Sequence, residues 1–435
     1  MRFDYQNPEL EAPLTAARTT QELEAALQKI AAFITPLLGS DSLGQTLFWP
    51  AMDAAVADLP RRLNLPDAPL PKGQGNVVVL ATRFYATGGH SRVAADISRL
   101  AGGDNVTIIF TDVYRALTQV NMVPKPGAPD AMFHRRATVL LSAPTLVEKI
   151  CELYMILAAI RPSRIFLMHN HMDAVAVAAA WPFRSVVDFV HHADFMPAIG
   201  ASLRFSSHVD LTYSCHLACR EAGREPVFAG MATAAPPAET PAPRRPGPLR
   251  IATCGAMRKY QNAAGAQWSD YAVAALSATD AEIIHIGPFD DAFVADIHGA
   301  LAAVGIAAER YQFVGAVADL RAELLDRGAD LYLASYPESG SRANLEALSA
   351  GLPLMVPVEP GQRLLLEDRW PFAEATKVRT PDELRALLAD GGAGLIEAAR
   401  DPGNQSRLLE QSRRFEAWVS GEALAPVRPD DRLPA

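Results

Sequence analysis

The stretch DLYLASYPESGSRANLEALSAGLPLMV, residues 330–356, decides the fold. An apolar run ends at Ser335, a loop with Glu338 follows, and an apolar pattern with helical spacing then continues past Glu346. This order predicts a buried strand that delivers a carboxylate to one edge of a sheet. It also predicts a helix whose first N–H groups and dipole can hold an anion. Because the two glutamates are about two helical turns apart, both carboxylates can face one ligand.

Apolar runs alternate with helical patterns on both sides of this stretch. One series of runs lies within 249–255, 281–289, 310–315 and 352–358, and an earlier series within 76–84, 106–113, 164–170, 185–192 and 209–215. Such alternation is typical of βαβ units and of doubly wound parallel sheets. The sequence therefore predicts an α/β protein with two Rossmann-like domains that face each other across a cleft, where ligands of such folds bind.

The domain boundaries follow from composition and from helix signals. Thr19 and Glu22 form a capping-box pattern before an apolar helical repeat, and a Pro/Ala-rich stretch separates the two series of strands. We predict five segments: a helical extension over 1–75, a first Rossmann-like domain over 76–230, an extended linker over 231–248, a second Rossmann-like domain over 249–402, and a helix with a tail over 403–435.

The overall composition excludes several classes of protein. Of 435 residues, 49% are hydrophobic and 20% are charged, which is typical of a globular chain, and the net charge of −9 argues against nucleic acid as a partner. No apolar run is long enough to cross a bilayer, and the N-terminus is acidic and polar where a secretory signal is basic and then apolar. We expect a cytoplasmic protein. Peripheral membrane contact and homo-oligomer formation stay open.

The stretch 330–356 resembles the signature of retaining GT-B glycosyltransferases, especially family 4 (glycosyltransferase group 1). In that family a Glu, seven residues and a second Glu precede an Ala/Gly/Pro turn, which Ala350–Pro353 completes here as AGLP. The resemblance implies transfer of a sugar from a UDP- or GDP-linked donor to a hydroxyl, with retention of the anomeric configuration. It also implies that Glu338 orients the sugar and that Glu346 binds the ribose. The family often has Gly-Phe-Gly after the first Glu, where this chain has Ser339-Gly340-Ser341 and then Arg342, so the donor sugar stays open.

The same resemblance assigns the donor to the C-terminal domain. The loop that begins at Gly255 carries Arg258 and Lys259 where the family grips the donor diphosphate, and these cations would neutralise the leaving group. Gly315 and Val317 correspond to the loop that meets the base. The sequence has no Asp-x-Asp motif, so we expect a metal-independent hexosyltransferase of glycan biosynthesis without a cofactor.

The N-terminal domain supplies the remaining candidate residues. Gly88, Gly89 and Arg92 form a Gly-Gly-x-x-Arg pattern between a strand and a helix, which allows close approach of a phosphate or sugar. Two histidine groups stand at predicted strand ends, and the resemblance places a functional histidine near the second group, for which His191 is preferred to His192. The predicted contacts to a glycan, lipid-linked or protein acceptor are His169, His171, His192 and Asp194.

Other chemistries remain as alternatives. Cys215 and Cys219 are one helical turn apart, but no second ligand pair follows at the spacing of a zinc site, so the sequence predicts no metal there. An inverting transferase on the same fold would need a general base, for which His191, His192 or Asp194 could serve. A nucleotide-sugar epimerase and a non-catalytic scaffold are the other two alternatives.

Overall fold

The computed structural model describes most of the chain. The described residues are 3–38, 44–71, 75–83, 89–101, 105–114, 136–192, 195–233, 246–261, 263, 265–358, 375–399 and 402–427, without the side chains of 402–405. Gly88, Asp194 and residues 234–245 of the predicted linker lie outside them. The chain forms two compact units. Unit 1 comprises Met1–Gly230 with Phe415–Val427, and unit 2 comprises Met231–Arg414.

Within the described residues, unit 1 contains a parallel sheet of seven strands in the order β3-β2-β1-β4-β5-β6-β7. Its central strands are runs of Val, Ile, Leu and Phe that are buried almost completely, as expected when helices cover both faces. The strands are β1 Val77–Ala81, β2 Val106–Phe110, β3 Ala137–Leu140, β4 Arg164–Met168, β5 Val187–His191, β6 Ser207–Asp210 and β7 Val227–Phe228.

Nine of the described helices lie at the N-terminus of unit 1 or between its strands. They are α1 Pro8–Ala16, α2 Thr20–Ala32, α3 Ile34–Leu38, α4 Pro50–Ala57, α5 Leu59–Arg62, α6 Gly89–Leu100, α7 Leu146–Ile160, α8 Ala174–Ala180 and α9 Tyr213–Glu221. The helical N-terminal extension is thus confirmed, and Thr19 and Glu22 form the predicted capping box. The extension is bonded to the rest of unit 1 through Asp53, whose buried carboxylate accepts hydrogen bonds from the N–H groups of Gly200 and Ser202.

In the described part of unit 2, a second parallel sheet has six strands in the order β10-β9-β8-β11-β12-β13. These strands are β8 Arg250–Cys254, β9 Glu282–Ile286, β10 Tyr311–Gly315, β11 Leu331–Leu333, β12 Leu354–Pro357 and β13 Thr376–Val378. The helices are α10 Trp268–Ala278, α11 Asp291–Ala302, α12 Leu320–Asp326, α13 Ser341–Ser349, α14 Pro381–Leu387, α15 Ala393–Ala398 and α16 Pro402–Ser420. Two parallel α/β units therefore confirm the predicted fold class.

The end of α16 belongs to unit 1. Arg164 donates hydrogen bonds to the carbonyl oxygens of Trp418 and Val419 and pairs with Asp188, which also accepts a bond from the Trp418 indole. These bonds fix the last helical turn beside β4 and β5. None of the helices in the described parts of the chain combines the length and the apolar character that a bilayer span requires.

Candidate functional site

The loops that follow β8, β9 and β10 are in direct backbone contact. The N–H of Gly255 donates to the carbonyl of Ile286 at 3.0 Å, and the N–H of Gly287 donates to the carbonyl of Gly315 at 2.8 Å. Gly287 has φ +149°, and a Cβ atom on it would lie 2.0 Å from the carbonyl oxygen of Gly255. Only glycine fits this approach. The loops therefore form one layer at the carboxyl edge of the unit 2 sheet.

Buried aromatic packing anchors the turn that carries the predicted cations. This 3₁₀ turn, Met257–Tyr260, ends in a tyrosine whose hydroxyl lies 2.9 Å from Thr253 Oγ1 and whose ring centroid lies 4.4 Å from that of His285. Burial lowers the pKa of His285 to about 4, so this imidazole is neutral at pH 7. The packing of Tyr260 and its uncharged hydrogen bond with Thr253 hold the turn in place. The two basic residues, Arg258 and Lys259, directly precede this tyrosine.

Glu338 and Arg258 form an ion pair although they are far apart in sequence. Both carboxylate oxygens lie close to Arg258 Nη1, at 2.5 and 2.6 Å. The backbone of Glu338 is fixed as well, because its N–H donates to the carbonyl of Lys259 at 3.3 Å and its carbonyl accepts from Ser335 Oγ at 2.7 Å. Glu338 is buried, whereas the Arg258 side chain is 47% exposed. The carboxylate thus has a defined position and the guanidinium keeps donors on its exposed side.

Lys259 lies at the start of α13. Its Nζ atom is 3.0 Å from the position that a Cβ atom on Gly340, the N-cap residue, would occupy. The first N–H groups of a helix have no acceptor within the helix, and the dipole gives this end a partial positive charge. An ammonium group beside a helix N-terminus makes a site for an anion. The adjacent Ser339 hydroxyl accepts a bond from Asn344 at 2.9 Å, which fixes the loop before Ser341.

Glu346, the second glutamate predicted from the sequence, lies on α13. Arg342, one turn earlier on α13, donates from Nε to Glu346 Oε1 at 2.8 Å, and both side chains are 10% exposed. The buried Glu346 Oε2 atom accepts no hydrogen bond from the described residues. In the loop layer, Gly315 has φ +82° and no atom within 4 Å of its Cβ position, and Val317 is half-buried. Each predicted carboxylate is therefore paired with an arginine of unit 2.

The histidines of unit 1 divide into two groups, and the division differs from their order in sequence. His192 Nε2 lies 3.0 Å from His90 Nδ1, and its ring centroid lies 6.3 Å from that of His171. His169 lies close to the carbonyl of Ile199, at 2.6 Å. Burial lowers the pKa of His90 to about 3 and that of His192 well below its ordinary value, so both are neutral at pH 7.

His90 was missed by the sequence reasoning, although it directly follows Gly89, which opens α6 one turn before Arg92. His191, in contrast, does not join the His90–His192 pair. Its Nδ1 atom lies 3.1 Å from His208 Nε2 and 3.3 Å from Asp210 Oδ1, and the residue is 1% exposed. The histidine preferred from sequence therefore lies in a second, buried polar cluster.

Comparison with known proteins shows the fold. No family model and no curated protein matches the chain. HepE from Anabaena, solved with UDP and glucose, is similar with a TM-score of 0.55 and 13% identity over 80% of this chain and 98% of that one. The lipopolysaccharide outer core galactosyltransferase WaaB has a TM-score of 0.53 and 13% identity over 79% and 99% of the two chains. WaaG, a glycosyltransferase of lipopolysaccharide biosynthesis, has a TM-score of 0.50 and 14% identity over 79% and 100%. The fold of this chain is that of the GT-B glycosyltransferases.

Proposed function

We propose that this chain is a glycosyltransferase that moves a sugar from a nucleotide-sugar donor to a hydroxyl acceptor. One observation carries the proposal: the Lys259 ammonium lies at the N-terminus of α13, and the carbonyl of the same lysine accepts a bond from the N–H of Glu338, whose carboxylate Arg258 holds in place. An anion site beside a fixed carboxylate suits a ligand that joins a diphosphate to a polyhydroxy group. The GT-B fold, which the solved structures share, agrees with this function, and HepE was solved with UDP and glucose.

The proposed chemistry uses positive charge where other transferases use a divalent ion. The donor diphosphate would accept hydrogen bonds from the first turn of α13 and from Lys259, while the exposed donors of Arg258 reach its other oxygens. These groups stabilise the charge that develops on the leaving nucleoside diphosphate. No divalent ion is needed at the diphosphate in this proposal.

Glu338 would bind hydroxyls of the transferred sugar. Its position is set by backbone bonds and by Arg258, so it can orient the sugar without moving itself. We favour retention, with attack from the face that the leaving group vacates and no protein nucleophile. His191, one of the three residues that could serve as the base of an inverting reaction, is enclosed by other polar side chains and is 1% exposed.

The nucleoside would bind beside the diphosphate. Glu346 Oε2 has acceptor capacity for a ribose diol, and Gly315 with Val317 would line the base, which we propose to be uracil or guanine. The acceptor would contact unit 1 through His169, His171 and His192, whose ring nitrogens can donate hydrogen bonds to sugar hydroxyls or accept them. An epimerase would use the same diphosphate chemistry but would change its donor without any acceptor.

Ligand-induced thermal stabilisation tests the proposal. Wild type, Lys259→Met and the control Lys377→Met, which changes a lysine on the edge strand β13, would each be titrated with UDP, GDP, ADP and dTDP with and without Mg²⁺. We expect one nucleotide class to stabilise wild type and Lys377→Met without Mg²⁺, and Lys259→Met to need at least about tenfold more nucleotide.

Product analysis with the matching nucleotide-sugars then separates the alternatives. Donor hydrolysis or transfer supports a transferase, whereas a changed sugar in the recovered donor identifies an epimerase. Binding of no nucleotide by the folded wild type would refute the proposed function and favour a scaffold.

A further inference from the structure

Unit 1 contains a polar cluster that the proposed sugar chemistry does not use. Its four members are His191 at the end of β5, His208 and Asp210 on β6, and Cys219 on α9. One ligand atom from each residue lies within 4.8 Å of every other. The four residues thus come from three separate elements and converge on one point.

The separations between these atoms are those of a coordination shell. The nitrogens of His191 and His208 are 3.1 Å apart, and each lies 3.3 Å from Asp210 Oδ1. The Cys219 sulfur lies 3.6 Å from all three of these atoms. A tetrahedral zinc ion, with bonds of about 2.0 Å to nitrogen or oxygen and about 2.3 Å to sulfur, separates its ligand atoms by about 3.3 Å and, for pairs with sulfur, about 3.6 Å.

Hydrogen bonds alone do not account for this arrangement. Four atoms in mutual contact surround one centre, about 2.1 Å from each, where a metal ion fits by size, whereas a proton could serve only one pair of them. The centre is closed to solvent, because the side chains of His191 and Asp210 are 0% exposed, that of His208 is 13% exposed and Cys219 is buried. A second thiol, Cys215, borders the centre, with its sulfur 3.3 Å from His191 Nδ1, 3.4 Å from Asp210 Oδ1 and 3.9 Å from the Cys219 sulfur.

Ligand type and charge favour zinc. Imidazole and thiolate ligands in tetrahedral geometry are typical of Zn²⁺, whereas Mg²⁺ and Ca²⁺ prefer six or more oxygens. An ionised Asp210 and a Cys219 thiolate together carry the charge that neutralises a divalent cation, which makes burial of the whole group less costly. Binding requires that the Cys219 thiol releases its proton to solvent.

We propose that unit 1 binds one Zn²⁺ ion through His191, His208, Asp210 and Cys219, in a closed structural site that joins β5, β6 and α9. All four positions are taken by protein, so the ion has no place for a substrate or water and takes no part in the transfer. Its role is to fix β6, the strand next to the edge strand β7, and helix α9 to β5. The sequence did not indicate a metal, because spacing along the chain does not show that the strand residues His191, His208 and Asp210 converge with Cys219 on one point.

Metal analysis of the purified full chain, without a histidine tag, tests the site. After expression with added zinc and removal of loosely bound ions by a brief treatment with EDTA, wild type is expected to carry about one zinc per chain. Cys219→Ser and His208→Ala are expected to lose it, and the control Cys151→Ser, which changes a free cysteine elsewhere in unit 1, to retain it. Equal zinc in Cys219→Ser and wild type would overturn the assignment.

A second measurement decides the question if the ligand variants do not fold. Wild type grown with Co²⁺ in place of zinc is expected to show the visible d–d bands of a tetrahedral ion and a thiolate-to-cobalt band in the near ultraviolet. A folded wild-type chain that holds neither zinc nor cobalt refutes the site. A cobalt spectrum that is octahedral or lacks the thiolate band also refutes it, because the four proposed ligands would then not be bound.

Discussion

Gly287→Ala tests whether the backbone contact between the β8 and β9 loops is essential to unit 2. The added Cβ would lie 2.0 Å from the carbonyl oxygen of Gly255 and 2.7 Å from its carbonyl carbon, so one loop must move by more than about 1 Å. The residue also has φ +149°, which side chains rarely adopt. Overpacking and backbone strain each cost about 1–3 kcal/mol, so we expect a loss of about 4 kcal/mol.

The matched control is Gly299→Ala, in helix α11, where a Cβ atom meets nothing within 4 Å. This change should raise stability by about 0.5–1 kcal/mol through helix propensity. For a unit of this size, the loss in Gly287→Ala corresponds to a midpoint lower by roughly 10 °C. Calorimetry separates the transition of unit 2 from that of unit 1. If both variants melt within a degree or two of wild type, the loops do not need the contact described and the reasoning is wrong.

Three further perturbations address other parts of the molecule. Glu338→Gln keeps the size of the side chain but removes the charge that pairs with Arg258. We expect kcat, measured by steady-state kinetics, to fall about 100-fold, and nucleotide affinity, measured by titration, to change little. A kcat equal to that of wild type would contradict the role proposed for Glu338. Buried His285 takes up a proton near pH 4 in the folded state and near pH 6.5 when unfolded, so unit 2 should lose about 2 kcal/mol between pH 7 and pH 5. Denaturant midpoints should show a smaller acid loss in His285→Asn, and an unchanged loss would exclude this origin. Asp53→Ala leaves three donors, the N–H of Gly200 and the N–H and hydroxyl of Ser202, without their acceptor, and unit 1 should lose about 3 kcal/mol in calorimetry. A loss below about 1 kcal/mol would mean that the extension is held by apolar packing instead.

The fold could be predicted because its signals are local. Buried strands such as β1 are continuous apolar runs. The capping box, which spans the four residues from Thr19 to Glu22, marks where helix α2 begins. The edge strands β3, β7 and β13 were not predicted, since β3 is largely exposed and β7 and β13 have two and three residues, so none gives an apolar run of useful length. The edge strand β10 was predicted, from the run within 310–315. Local patterns predict the strands that form long apolar runs and miss those that are short or exposed.

The residues of the candidate site in unit 2 could be named from the sequence, but which of their side chains bond to each other could not. The resemblance brought together Arg258 and Glu338, which are 80 positions apart, and assigned both cations to the diphosphate, but it gave no pairing between Arg258 and Glu338. In the structure Arg258 bonds to Glu338, and Lys259 is the cation at the start of α13. Pairing depends on side-chain directions across neighbouring loops, and spacing along one chain does not determine these.

The two adjacent histidines at the end of β5 show the same limit most clearly. Successive residues of an extended strand point to opposite sides, so His191 and His192 had to enter different surroundings although the sequence presents them as one pair. His192 contacts His90, and His191 contacts Asp210 and Cys219.

Because His192 directly follows a proposed zinc ligand, loss of the ion should also displace the His90–His192 pair, and with it one of the histidines proposed to contact the acceptor. A metal site that takes no part in the chemistry can therefore still affect acceptor affinity. In that case Cys219→Ser should raise the acceptor KM while leaving nucleotide binding to unit 2 unchanged, whereas a change in nucleotide affinity alone would contradict this coupling.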